Sequence, residues 1–120
     1  MKVIIAGSRK FDDNAHHLVR YAVKMSGFDI TEVVSGGAVG IDEYGELWAE
    51  TNHVPIQQFI PDWKTHGKKA GPIRNSKMAE YSSALIAIWD GSSTGTKDMI
   101  AQMKRRRKPI FRLLVGFDKL

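Results

Sequence analysis

The sequence predicts an α/β fold, with a mostly parallel sheet covered by helices on both faces. Three observations point there. Short apolar runs alternate along the chain with stretches of helical period. Two of the runs, VIIA near the start and ALIAIW at residues 84–89, are continuously apolar, as strands buried on both faces are. Glycine-bearing turns follow the first, second and fourth runs, each just before a helical stretch. Right-handed crossovers between parallel neighbours turn such a pattern into a Rossmann-like three-layer sandwich. Five strands are expected, in the order 3-2-1-4-5.

Lys2–Ala6 (KVIIA) is the first strand. Asp12, Asp13 and Asn14 supply helix-start chemistry, and Leu18, Tyr21, Ala22 and Met25 follow at helical spacing until Gly27 ends the helix. Thr31–Ser35 (TEVVS) is the second strand. Ile41, Tyr44, Leu47 and Trp48 make the stripe of a second helix. Val54–Ile60 (VPIQQFI) is the third strand, with Pro55 placed as an edge strand tolerates it. Pro61–Gly71 is a basic loop, and Pro72 suits the first turn of a third helix whose buried side carries Ile73, Met78 and Tyr81. Ala84–Trp89 is the fourth strand. Met99, Ile100 and Met103 mark a fourth helix, and Pro109–Val115 (PIFRLLV) is the last strand.

With 120 residues, 42% of them hydrophobic and 26% charged, the chain suits one globular domain spanning residues 1–120. It has no cysteine, which excludes disulfides, thiolate metal sites and a cysteine nucleophile. No apolar run is long enough to span a membrane, and the N-terminal run stops at Gly7, too soon for a signal peptide. A cytoplasmic location is the expectation. The formal net charge of +5 favours anionic partners. Much of it lies in Lys64–Lys69 with Arg74, and in Lys104-Arg105-Arg106-Arg107-Lys108. The plainer reading of the second run is a solvated helix end, where cations complement the dipole.

In an open α/β sheet, ligands bind beyond the C-terminal strand ends. In the expected order, strands two, one and four are neighbours, so three turns rim one crevice: Gly7-Ser8-Arg9, Ser35–Asp42 (SGGAVGID) and Asp90–Thr96 (DGSSTGT). Gly36, Gly37 and Gly40 let backbone N–H groups approach a phosphate, and the following helix offers its positive end. Asp42 can accept a hydrogen bond from a ribose hydroxyl, or it can simply stabilise the helix start. Ser92, Ser93, Thr94 and Thr96 add hydroxyls around Gly95, while Ser8 and Arg9 add a donor and a cation. Turn chemistry alone accounts for many such residues; the convergence of three turns is what favours a phosphate or nucleotide site.

Standard templates do not fit. The glycines fall as GGxxG, there is no Walker A sequence, no GxSxG elbow, and His16, His17, His53 and His66 form no metal-ligand pattern. Magnesium would enter only with a bound phosphate. Trp48, Trp63 and Trp89 can stack on a base, although core or loop packing is the plainer reading for each.

The stretches IIAGSRKF, VSGGAVGIDEYGELWA and PDWKTHGKKAGPIRNSKMAEYSSALIAIWDGSSTGT together resemble the YspA-like branch of the SLOG superfamily, over nearly the whole chain to about Ile100. That superfamily includes the LOG phosphoribohydrolases and the Rossmann-like part of the DNA-processing protein A family. The resemblance implies a nucleotide or nucleotide-derivative ligand. LOG enzymes carry RKxxM and then PGGxGTxxE; Arg74 and Met78 match the first motif, and Gly95-Thr96 the end of the second. The LOG glutamate position falls on Met99, with Asp98 one residue early and so rotated by about 100° on a helix. Loss of a base from C1′ builds oxocarbenium character that a carboxylate relieves, so the carboxylate here is missing or displaced. Asp42, Glu43 or Asp98 can take its place. Ser35–Asp42 also fits the Ser-Gly-x-Ala-x-Gly-Ile-Asp pattern of the DNA-processing family, which binds single-stranded DNA.

The leading expectation is a sensor or sequestering module for an ADP-ribose, NAD-like or nucleoside-phosphate ligand. Gly7, Ser8, Gly36, Gly37, Gly40, Gly95 and Thr96 would hold phosphate; Arg74 and Arg9 would neutralise it. Asp42 would read ribose, with Ser35, Ala38, Asn75, Asp90, Gly91 and Ser92 completing the walls. The alternatives are a glycosidic-bond hydrolase or transferase on nucleoside monophosphates, using Arg74 and a relocated carboxylate such as Asp98, and a single-stranded DNA binder using the basic stretches. LOG-type relatives are commonly dimers, so the resemblance also implies a homo-oligomer.

Overall fold

The computed structural model of the protein describes residues 1–10 and 14–116. Within them five strands form one sheet: β1 (Lys2–Gly7), β2 (Glu32–Ser35), β3 (Ile56–Gln58), β4 (Ala84–Trp89) and β5 (Ile110–Leu114). Their order is β3-β2-β1-β4-β5, as the sequence predicts. Every neighbouring pair runs parallel, with Val3 beside Val33 and Ala84, and Ile86 beside Phe111.

The period of two along each strand divides the core between two faces. Val3, Ile5, Val33, Ile86 and Ile88 face α1 (Ala15–Ser26) and α2 (Ile41–Thr51). Ile4, Val34, Leu85 and Ala87 face α4 (Ala70–Tyr81) and α5 (Thr94–Arg105), against Met78, Met99 and Met103. Each large apolar side chain so buried contributes about 1.5–3 kcal/mol relative to exposure.

Two helix stripes differ from expectation. On α1 the buried residues are Ala15, Val19 and Ala22, whereas Tyr21 and Met25 are exposed. On α2 they include Ile41, Gly45 and Ala49, whereas Leu47 is exposed. The cause is close approach: small residues face the sheet, and a Cβ on Gly45 would already crowd Ile5 at 2.8 Å. The bulky side chains rotate off the contact line. Gly27 ends α1 in the left-handed region, φ 71°, as expected of a C-terminal glycine. Asp12 and Asp13, expected at the start of α1, lie outside the described residues.

The basic stretch 61–71 is more ordered than a loop. It holds a one-turn helix, α3 (Trp63–His66), and a 3₁₀ turn, Gly67–Lys69, before α4 begins at Ala70. Asp62 caps α3, its Oδ1 accepting from the Thr65 N–H at 3.1 Å. Pro72 is thus the third residue of α4, still within the turn whose N–H groups have no helical partner. The third strand is shorter than its apolar run, with Pro55 just outside it on the sheet edge. No helix among the described residues is long and apolar enough to cross a membrane.

Candidate functional site

The strand order brings the C-terminal ends of β2, β1 and β4 side by side, and the turns that follow them enclose a cavity of about 690 Å³. The first turn contributes Gly7, Ser8 and Arg9, and the second Gly36, Ala38 and Asp42. The third contributes Asp90, Ser92, Gly95 and Thr96; Arg74 and Asn75 of α4 and Asp98 of α5 close the wall between them. Ser35, Gly37, Gly40 and Gly91 fall outside the lining and shape the turns from behind.

The turns are knotted together. Ser8 is buried, and its Oγ accepts the Asp90 N–H at 3.1 Å, while its carbonyl accepts the Ile41 N–H at 3.2 Å. One serine therefore ties the first turn to both others. Gly7 has a packing reason of its own: a Cβ there would collide with the Ile88 carbonyl on β4.

The second turn does not present all the free N–H groups expected of it. Gly37 donates to Ser35 Oγ at 3.1 Å, Ala38 to Asp42 Oδ2 at 3.3 Å, and Gly40 to Glu43 Oε1 at 3.0 Å. The chain's own oxygens occupy the positions a phosphate would claim. The third turn is different. Asp90 Oδ1 accepts the Ser92 and Ser93 N–H groups, which hold its carboxyl below the usual range. Ser93 Oγ caps α5 through the Thr96 N–H. The N–H groups of Thr94 and Gly95, the first two helical residues, have no acceptor among the described residues. Among the described residues, nothing beyond its own helix backbone and chain neighbours lies within 4 Å of where a Cβ on Gly95 would stand. The helix dipole and two free donors thus meet the cavity here.

Arg74 spans the wall between these turns. Its Nη1 donates to the carbonyls of Gly36 at 2.6 Å and Phe59 at 3.4 Å, and its Nε to Asn75 Oδ1 at 2.9 Å. Nη2 has no partner among the described residues. The guanidinium lies against Gly36, where a Cβ would clash with Nη1 and come within 3.1 Å of Asp42 Oδ2. Glycine at 36 is what lets cation and carboxylate approach the same point. Burial pushes the Asp42 carboxyl up to about 6, against the pull of the Ala38 N–H and the Arg74 charge. Burial also lowers Arg74 from its ordinary value, with Asp42 opposing and Arg9 adding to the shift. Both charges are kept where burial disfavours them, a pattern that marks functional sites more than stabilising pairs.

Asn75 is buried and bridges three groups. Beyond Arg74, its Nδ2 donates to Asp98 Oδ2 at 3.0 Å and to the Gly95 carbonyl at 3.2 Å. Asp98 therefore faces the cavity from the first turns of α5, while Met99 is buried in the core beneath it. The rotation expected between neighbouring helical residues is what separates them.

A model of the YspA, cpYpsA-related SLOG family matches residues 1–66. The chain belongs to that family. It is 31% identical over 117 residues to the gene 61 protein of Mycobacterium phage D29, covering 91% of this chain and 93% of that one. A crystal structure of DNA processing protein A from Streptococcus pneumoniae superposes with a TM-score of 0.78 at 18% identity, over 98% of this chain and 52% of that one. This SLOG-family chain therefore spans about half the length of that protein, and the likeness is one of fold. The matched residues 1–66 carry the first two turns; Arg74, Asn75 and the third turn follow them.

Sequence reasoning left several wall residues out of the site. Lys10, Trp63, Lys68, Gly71 and Pro72 all line the cavity. Three of them, Trp63, Lys68 and Gly71, come from the 61–71 stretch, read as a loop because a single capped turn is too short to show a helical period. The signal available was Asp62 three residues before Thr65, a capping spacing.

Proposed function

We propose that this member of the SLOG family binds a nucleotide or nucleotide derivative in the crevice. The anionic group sits at the start of α5, on the Thr94 and Gly95 N–H groups, neutralised by Arg74 with Arg9 and Lys68. The ribose faces Asp42, whose carboxylate accepts from a hydroxyl. The observation that carries the reading is Arg74. It is braced by two carbonyls and an asparagine, its Nη2 has no partner among the described residues, and it stands beside a helix N-terminus with open donors.

The test is calorimetric titration of the wild-type protein and Arg74→Ala with AMP, ADP, ATP, NAD and ADP-ribose. The wild type is expected to take up at least one of these, and the variant to bind it at least about tenfold more weakly, the loss of a charge-assisted hydrogen bond. Equal affinity in a folded Arg74→Ala protein would remove Arg74 from the site.

A second reading, cleavage of an N-glycosidic bond, is favoured by one observation: Asp98 is held on the cavity wall by the same Asn75 that orients Arg74. Release of free base from a bound nucleoside monophosphate, lost in Asp98→Asn with binding intact, would establish it.

A further inference from the structure

The chain has three tryptophans. Trp48 packs against the core beneath α1 and α2, and Trp89 against the core beneath α4 and α5. Trp63 belongs to neither core; it is 53% exposed and lines the crevice. An indole that buries little against its own protein, on the wall of a cationic cavity, needs another reason for its place.

Its position is held from both sides. The Asp62 carbonyl accepts the His66 N–H at 3.0 Å, the Asp62 side chain caps Thr65, and the Trp63 carbonyl accepts the Gly67 N–H. The far edge of the ring, Cη2, lies 3.5 Å from where a Cβ on Gly71 would stand, so it rests over the first turn of α4. The ring is thus fixed at its backbone and its rim, with Lys68 and Pro72 on the same stretch of wall.

We propose that Trp63 is the stacking platform for the base of the bound nucleotide, so that the crevice selects nucleoside phosphates over sugar phosphates. This rests on the phosphate and ribose placement proposed above, and adds the third part of the ligand. Stacking on an aromatic face tolerates different bases, because every base has a π-face. Discrimination therefore falls on the presence of a planar base more than on its hydrogen-bonding edge.

The experiment titrates AMP and ribose 5-phosphate, which share the sugar and phosphate and differ by the base, into the wild type, Trp63→Ala and Trp63→Phe. The wild type is expected to bind AMP more tightly than ribose 5-phosphate. Trp63→Ala should lose about tenfold or more for AMP and nothing for ribose 5-phosphate, with Trp63→Phe close to wild type for both. AMP should also quench tryptophan emission in the wild type and not in Trp63→Phe. Unchanged AMP affinity in Trp63→Ala, or an equal loss for both ligands, would overturn the platform and leave the phosphate site standing. Wild-type protein that binds ribose 5-phosphate as well as AMP would do the same. Wild-type protein that binds neither would overturn the platform, and the phosphate site falls with it only if ADP, ATP, NAD and ADP-ribose are not bound either.

Discussion

Asp42 and Arg74 show most directly what the crevice does to single residues. Asp42 is buried and its carboxyl titrates near 6, against an ordinary 3.8. The folded protein therefore holds this proton more tightly than the unfolded chain. The associated stability is fully present below about pH 3.8 and is lost as pH rises through 6. Asp42→Asn removes the ionisation. It is expected to be more stable than the wild type at pH 7.5, by up to about 3 kcal/mol, with the difference vanishing near pH 4. Urea unfolding of both proteins across that range checks it; a variant less stable at pH 7.5 would show that the charged form is the better fitted one. Much at this scale was readable beforehand. The three turns follow from glycine spacing at strand ends, while Arg74 and the carboxylate at 98 in place of 99 came from the resemblance to the LOG motifs, with helix rotation separating the two positions. The occupancy of the second turn was not, because Ser35, Asp42 and Glu43 reach its N–H groups through rotamers that a sequence does not specify.

Between elements, the most consequential contact joins the end of α5 to the end of α4. Lys108 Nζ donates to the carbonyls of Ala79 and Ser82 at 2.6 Å and of Glu80 at 3.1 Å. These belong to the group of carbonyls that a helix end leaves unpaired, and a cation suits them. Nearby, Arg106 reaches Glu80, Gln102 and Ser76. Two members of the basic run are thus structural. Lys108→Ala is expected to cost about 1–3 kcal/mol, the range for stranding buried acceptors, and to lower the melting temperature by several degrees. Lys104→Ala, on an exposed residue, is expected to change neither. Differential scanning calorimetry of the pair decides it. The strands and the long helices were legible as apolar runs and periods. The stripe of α1 was misassigned because Tyr21 and Met25 are apolar at helical spacing, yet alanines face the sheet. Bulk, as well as hydrophobicity, decides which side of a helix can approach closely.

Across the whole molecule, the exposed part of the 104–108 basic run and the crevice are separated. The crevice opens at the N-terminal end of α5, and the exposed Lys104, Arg105 and Arg107 lie at or beyond its C-terminal end, about 18 Å away for a helix of 12 residues. Beyond a Debye length, exposed charges are largely screened. Arg105→Ala combined with Arg107→Ala is therefore expected to leave AMP affinity within about twofold at physiological salt. A larger loss would place the run at the ligand. Any oligonucleotide binding through the run would instead fall in the double variant, with a shallower salt dependence. The separation also bears on how the chain is made. The bond from Asp90 to Ser8 spans 82 residues, and β1 lies between β2 and β4. A nascent chain that has emerged only through β3 has one flank of its central strand bare and no third turn at all. The proposed cradle and platform can come together only after the start of α5 has left the ribosome, so a chain that stops short of the third turn is expected to capture no ligand.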